Sequence, residues 1–148
     1  MSVSRQVYED MILDHNRAPR NFMRKPQDPV CSAHGFNPIC GDEFNVYLQI
    51  ENDIIKDASF DGSGCAISTA SASLMTDAIK GMPVADARAL FSDMQNMLTG
   101  GGELDSAYAK LNILSGVRLY PTRIKCATLA WHTMKAALDN KQGTVTTE

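Results

Sequence analysis

Between Phe44 and Ala78 the hydrophobic period of the chain changes once, and that change restricts the fold more than any other feature. Phe44, Val46, Leu48 and Ile50 alternate with Asn45, Tyr47, Gln49 and Glu51, the period of a half-buried strand. Asn52-Asp53 supplies a turn, and residues 54–61 return as a second strand with Ala58 and Phe60 on one face, which predicts a hairpin. After Gly62-Ser63-Gly64-Cys65 the apolar positions Ile67, Ala70, Leu74 and Ala78 fall on one helical stripe, with Gly81 where a C-terminal cap belongs.

The remaining pattern is mostly helical. Val7, Met11 and Ile12 recur at helical spacing before Pro19, which stops that helix after Arg17. Residues 24–40 contain three prolines and one glycine and read mainly as loop. Pro83 suits a first helical turn, and Val84, Ala87, Leu90, Phe91, Met94 and Leu98 continue it. Gly100-Gly101-Gly102 breaks the chain before a further amphipathic helix carrying Leu104, Ala107, Tyr108, Leu111 and Leu114 and ending at Gly116. Pro121 opens a last helix with Ala127, Ala130, Trp131, Met134 and Leu138 inward, and residues 141–148 read as a frayed tail. The expected architecture is α+β: one domain over residues 1–140, with a small antiparallel sheet of about three strands covered on one face by several helices.

Composition narrows the class of function. The 148 residues are 44% hydrophobic, enough for one domain with a genuine core, and carry 21% charged side chains with a net charge of −3. That balance points away from nucleic acid, and no apolar run reaches the roughly 20 residues that cross a bilayer. Without a signal-peptide pattern at the N-terminus the expected location is cytoplasmic, where thiols stay reduced. Four cysteines there point to metal or sulfur chemistry before disulfides.

Three of those cysteines share a placement. Cys40 stands between Pro38 and the first strand, Cys65 between a strand and a helix, and Cys126 within the first turns of the last helix. Each lies at the end of an element, where its side chain can reach a common rim. A helix N-terminus favours thiolate over thiol, and Arg123 and Lys125 add positive charge beside Cys126. With Asp42, which Gly41 allows to face the same way, three thiolates and a carboxylate suit zinc or an iron–sulfur cluster. No two cysteines have Cys-x-x-Cys spacing, and three scattered cysteines also fit a reading as buried apolar filler.

Longer segments carry a resemblance. Residues 8–21 (Tyr-Glu-Asp-Met-Ile-Leu-Asp-His-Asn-Arg-Ala-Pro-Arg-Asn), 37–42 (Asn-Pro-Ile-Cys-Gly-Asp), 54–72 (around Phe-Asp-Gly-Ser-Gly-Cys-Ala-Ile-Ser-Thr-Ala-Ser-Ala at 60–72) and 121–131 (Pro-Thr-Arg-Ile-Lys-Cys-Ala-Thr-Leu-Ala-Trp) resemble the IscU/SufU/NifU N-terminal family of iron–sulfur cluster assembly proteins. The likeness covers the chain except its tail and implies a SufE/IscU-like fold. The match is to the SufU branch. Where IscU scaffolds place a histidine before the third cysteine this chain has Lys125, their proline-rich chaperone-docking segment is not reproduced in residues 119–125, and residues 100–117 resemble the SufU insertion. The resemblance implies zinc held by Cys40, Asp42, Cys65 and Cys126, with Cys40 as the sulfur-accepting residue. It implies a SufS-type cysteine desulfurase as donor and SufBCD-type assembly machinery downstream; Arg123 reads either as a partner or persulfide contact or as an exposed cation at the helix start, and Lys125 as a partner or auxiliary contact. The alternatives are a scaffold carrying a [2Fe–2S] cluster on the same ligands and a domain whose zinc is only structural.

Other features carry less. Cys31-Ser-Ala-His34 has the spacing of a metal half-site but no second half, and reads as a loop thiol with an incidental histidine. His15 reads as helix-end packing or capping, His132 as a surface residue, and the eight methionines as core filler. Gly100-Gly101-Gly102 lacks the context of a phosphate-binding loop.

Overall fold

A computed structural model describes residues 4–24, 26, 30–140 and 144–146. The predicted hairpin is present as β2 (Asp42–Glu51) and β3 (Ile54–Ser63), turning through Asn52 and Asp53, both at positive φ. Asp42, Phe44, Val46 and Leu48 point inward while their neighbours face solvent or half-face it.

Two further strands extend the sheet. Residues 24–40, expected mainly as loop, contain β1 (Val30–Asn37), antiparallel to β2 with Asn37 opposite Asp42; Lys25 and residues 27–29 of that stretch lie outside the described residues. The inner face of β1 is Ala33, Gly35 and Asn37, too small and polar to show an apolar alternation. Within the expected tail, β4 (Thr144–Thr146) pairs parallel with β1, giving the order β3-β2-β1-β4; residues 141–143 and 147–148 lie outside the described residues. Among the described residues the sheet therefore has four strands rather than about three, and the fourth is parallel.

Helices cover its inner face. α1 (Arg5–Arg17) starts at Ser4, whose Oγ accepts from the Val7 N–H at 3.1 Å, and it ends before Pro19 as expected. Its buried side is Tyr8, Ile12 and His15, one residue round from the stripe read in the sequence, so Val7 is exposed. α2 (Ala66–Ile79) lies between α1 and the sheet, and small side chains from Ser68 to Ser73 bury almost its whole surface. α3 (Val84–Leu98) begins after Pro83, which caps the helix instead of opening its first turn. α5 (Ile124–Leu138) follows a 3₁₀ turn at Pro121–Arg123 and lies across β1 and β2, with Leu129, Trp131 and Met134 buried.

The single helix expected over residues 104–116 is instead broken into a 3₁₀ turn (Ser106–Tyr108), α4 (Ala109–Ile113) and a second 3₁₀ stretch (Leu114–Leu119). Two bonds fold it back: the Leu104 N–H donates to Asn112 Oδ1 (2.7 Å), and Asn112 Nδ2 donates to the Leu104 carbonyl (3.2 Å). Gly116 then lets the ring of Tyr8 approach; a Cβ there would stand 2.5 Å from Tyr8 Cδ1. Among the described residues no helix is long and apolar enough to cross a membrane.

Candidate metal centre

Three junctions meet at one end of the sheet. The β1–β2 hairpin turns through Pro38, Ile39, Cys40 and Gly41, the last with φ +74° and its N–H bonded to the Asn37 carbonyl at 2.8 Å. That places Cys40 at the tip and Asp42 on the first inward position of β2. Cys65 is the N-terminal cap of α2, its Sγ accepting from the Ser68 N–H at 3.4 Å. Cys126 is the third residue of α5.

Cys40, Asp42 and Cys126 form a group able to hold a metal ion: one ligand atom from each lies within 4.8 Å of the others, and the two sulfurs are 3.1 Å apart. Cys65 is outside that trio but joined to it, because its N–H donates to Asp42 Oδ1 at 2.8 Å. It lines, with Ile39, Cys40, Thr122 and Arg123, an open cleft of about 410 Å³ over the group. Two thiols and a carboxylate within 4.8 Å of one another, with a third thiol at the mouth, are a donor set suited to zinc or iron.

The members differ in setting. Cys126 is 0% exposed, and burial, then its hydrogen bond with Cys40 and the charges of Cys65 and Asp42, push its thiol well above the ordinary range. Asp42 is also 0% exposed and accepts from Cys65 N, Asn37 Nδ2 (3.2 Å) and Ser68 Oγ (2.7 Å). Cys40 is half-buried beside Ile39, which is 67% exposed, and outside the sulfur pair its contact is Arg123 Nη1 at 3.6 Å. Arg123 is exposed at the cleft rim, and Lys125 is exposed on the first turn of α5, outside the ligand group.

Asn37 and Ser68 were not singled out in the sequence. Both are fully buried, and both hold members of this group: Asn37 Nδ2 lies 3.6 Å from Cys126 Sγ and 3.2 Å from Asp42 Oδ2. For Ser68 a signal existed, since it stands three residues into a helix capped by Cys65, where side chain and cap interact.

The lesser candidates fall elsewhere. Cys31 and His34 are three apart on one strand and so face opposite ways; His34 binds Glu43 (2.7 Å) and Thr144 (3.0 Å) on the outer face. His15 is buried, its Nδ1 2.7 Å from Ser73 Oγ. His132, expected at the surface, is half-buried edge-on to Phe91, with ring centres 5.3 Å apart.

A Thermotoga maritima protein named iron–sulfur cluster assembly scaffold protein IscU is 38% identical over 136 residues, covering 92% of this chain and 95% of its own. A Bacillus subtilis zinc-dependent sulfurtransferase SufU is 37% identical over 138 residues, covering 93% and 92%. The crystal structure of a putative iron–sulfur cluster assembly scaffold protein for the SUF system from Fervidobacterium islandicum AW-1 superposes with a TM-score of 0.81 at 32% identity, over 91% of this chain and 98% of that one. The model of the NifU-like N terminal domain matches residues 7–147, and the chain belongs to that family.

Proposed function

We propose that this protein is a zinc-dependent sulfur acceptor in iron–sulfur cluster assembly, taking sulfur onto Cys40 from the persulfide of a cysteine desulfurase of the SufS type. The observation that carries the reading is the asymmetry of the thiols: Cys126 is sealed in the core, while Cys40 stands at a hairpin tip beside an open cleft. Cys40, Asp42, Cys65 and Cys126 would hold the metal; bound zinc keeps coordinated thiols ionised near neutral pH.

Cys40 Sγ, once exposed to the donor, attacks the terminal sulfur of the partner's cysteine persulfide. The new S–S bond forms as the old one breaks, and the donor's thiolate leaves with the electron pair, so no oxidant is needed. Arg123, 3.6 Å from Cys40 Sγ, offers its positive charge to the sulfur anion during the exchange. The Cys40 persulfide then passes to cluster-building machinery of the SufBCD type. Lys125, in place of a histidine donor, favours this reading over a cluster scaffold. The scaffold reading draws on the Thermotoga relative. The exposed Lys125 is assigned a contact with the desulfurase.

The test combines the zinc-loaded protein with a SufS-type desulfurase and follows cysteine-dependent sulfide release. Strong stimulation that vanishes in a folded Cys40→Ala variant is the expected result. No stimulation, with a stable coloured cluster after reconstitution with iron and sulfide, makes the protein a scaffold. Indifference to the desulfurase and failure to hold a cluster leave a structural metal domain.

A further inference from the structure

The carboxylate of Asp42 is held more tightly than a metal ligand alone requires. A carboxylate offers about four lone-pair positions. In Asp42 the Cys65 N–H occupies one on Oδ1, and Ser68 Oγ and Asn37 Nδ2 occupy two on Oδ2. One position is left, on Oδ1. The same Asn37 amide reaches Cys126 Sγ at 3.6 Å, and its Oδ1 accepts from the Ile39 N–H at 3.3 Å, so one side chain ties two members of the group to the hairpin. The Ser68 hydroxyl also lies 3.1 Å from the Cys126 carbonyl, joining α2 to the first turn of α5. Among the described residues, Cys40 Sγ has the Cys126 sulfur and the exposed Arg123 as its contacts.

We propose that Asn37 and Ser68 are positioning residues that hold the buried Asp42 carboxylate in place as a metal ligand. This rests on the metal-binding reading of the group and extends it to residues that touch no metal. Rotating Asp42 away would strip three donors at once in a buried site, where unpaired polar groups are costly.

The experiment is a double-mutant cycle read by zinc affinity, using chelator competition on the full chain, with the cobalt(II) absorption spectrum as a second readout. Ser68→Ala and Asn37→Ala are each expected to weaken zinc about 10- to 100-fold, the range for lost outer-shell partners. Their cobalt spectra should move toward that of Asp42→Ala. In the Asp42→Ala background the same two substitutions should cost less than about twofold, because the residue they act through is gone. A merely structural role predicts the same loss in both backgrounds, and that result overturns the proposal, as does an unchanged affinity in the single variants. Metal-free melting curves verify folding; if Asn37→Ala does not fold, Ser68→Ala closes the cycle alone. No desulfurase enters the measurement, so its failure leaves the sulfur-acceptor reading standing, and failure of desulfurase stimulation leaves this one standing.

Discussion

Gly35→Ala isolates the contact that lets α5 reach the sheet. The glycine faces α5, and an added Cβ would fall far inside van der Waals distance of Thr133 Oγ1, with Leu129 Cδ1 at 3.1 Å and Thr133 Cβ at 3.2 Å. Thr133 is fully buried and its hydroxyl donates to the Leu129 carbonyl at 2.7 Å, so it cannot swing aside without losing that bond. Overpacking of this kind costs about 1–3 kcal/mol. With a urea dependence of about 2 kcal/mol per M, the unfolding midpoint of the metal-free protein should drop by roughly 0.5–1.5 M. Thr133→Ala removes the offending oxygen, so Gly35→Ala/Thr133→Ala should be more stable than the sum of the single losses predicts, by about 1 kcal/mol or more. A loss below about 0.5 kcal/mol in Gly35→Ala, or strict additivity in the pair, would refute the claim that close approach at this glycine seats α5.

Two further outcomes follow from buried polar groups. Burial, then the charge of Arg20, lowers the pKa of His15 below its ordinary 6.5, and burial lowers that of His132 too. The unfolded chain therefore takes up protons first: stability is full above about pH 6.5 and falls as pH drops below it, by up to about 1.4 kcal/mol per pH unit for His15. Chemical denaturation at pH 7.5, 6.5 and 5.5 should show this, and an unchanged acid slope in His15→Gln would remove His15 as the cause. Tyr8 is 3% exposed, its hydroxyl has no hydrogen-bond partner among the described residues, and burial, then Tyr120, raises its pKa to about 12. Tyr8→Phe removes an unpaired polar atom and should stabilise the protein by about 1 kcal/mol in thermal unfolding, whereas a loss of that size would reveal a partner for the hydroxyl.

What the sequence made legible follows from which forces act locally. The β2–β3 hairpin and the stripe of α2 could be read because one face of each is apolar and the other is not. β1 could not, because its inner face was cut down to Ala33, Gly35 and Asn37 to admit α5, a requirement set by residues almost a hundred positions away. β4 is three residues long and owes its existence to the edge of β1, and the segment over 104–116 is folded back by Asn112 on Leu104, a pairing no periodicity shows. Of the candidate centre, the cysteines and Asp42 were visible from their places at element ends and from the family resemblance. Asn37 and Ser68 were not, since a buried amide and hydroxyl acquire meaning only from what lies across the fold.

The centre draws on a hairpin tip, a helix cap and the first turn of the last helix, and this fixes an order of events during synthesis. Ser68 and the Cys126 carbonyl that meets it are 58 residues apart in the chain. A ribosome adding about 5–20 residues per second needs roughly 3–12 seconds to cover that interval. Throughout it the nascent chain carries Asn37, Cys40, Asp42 and Cys65 without the sulfur that closes the group. The candidate seat for an ion is therefore completed by the docking of α5, so any metal it takes would enter the finished domain, after translation has delivered the whole sheet-covering layer.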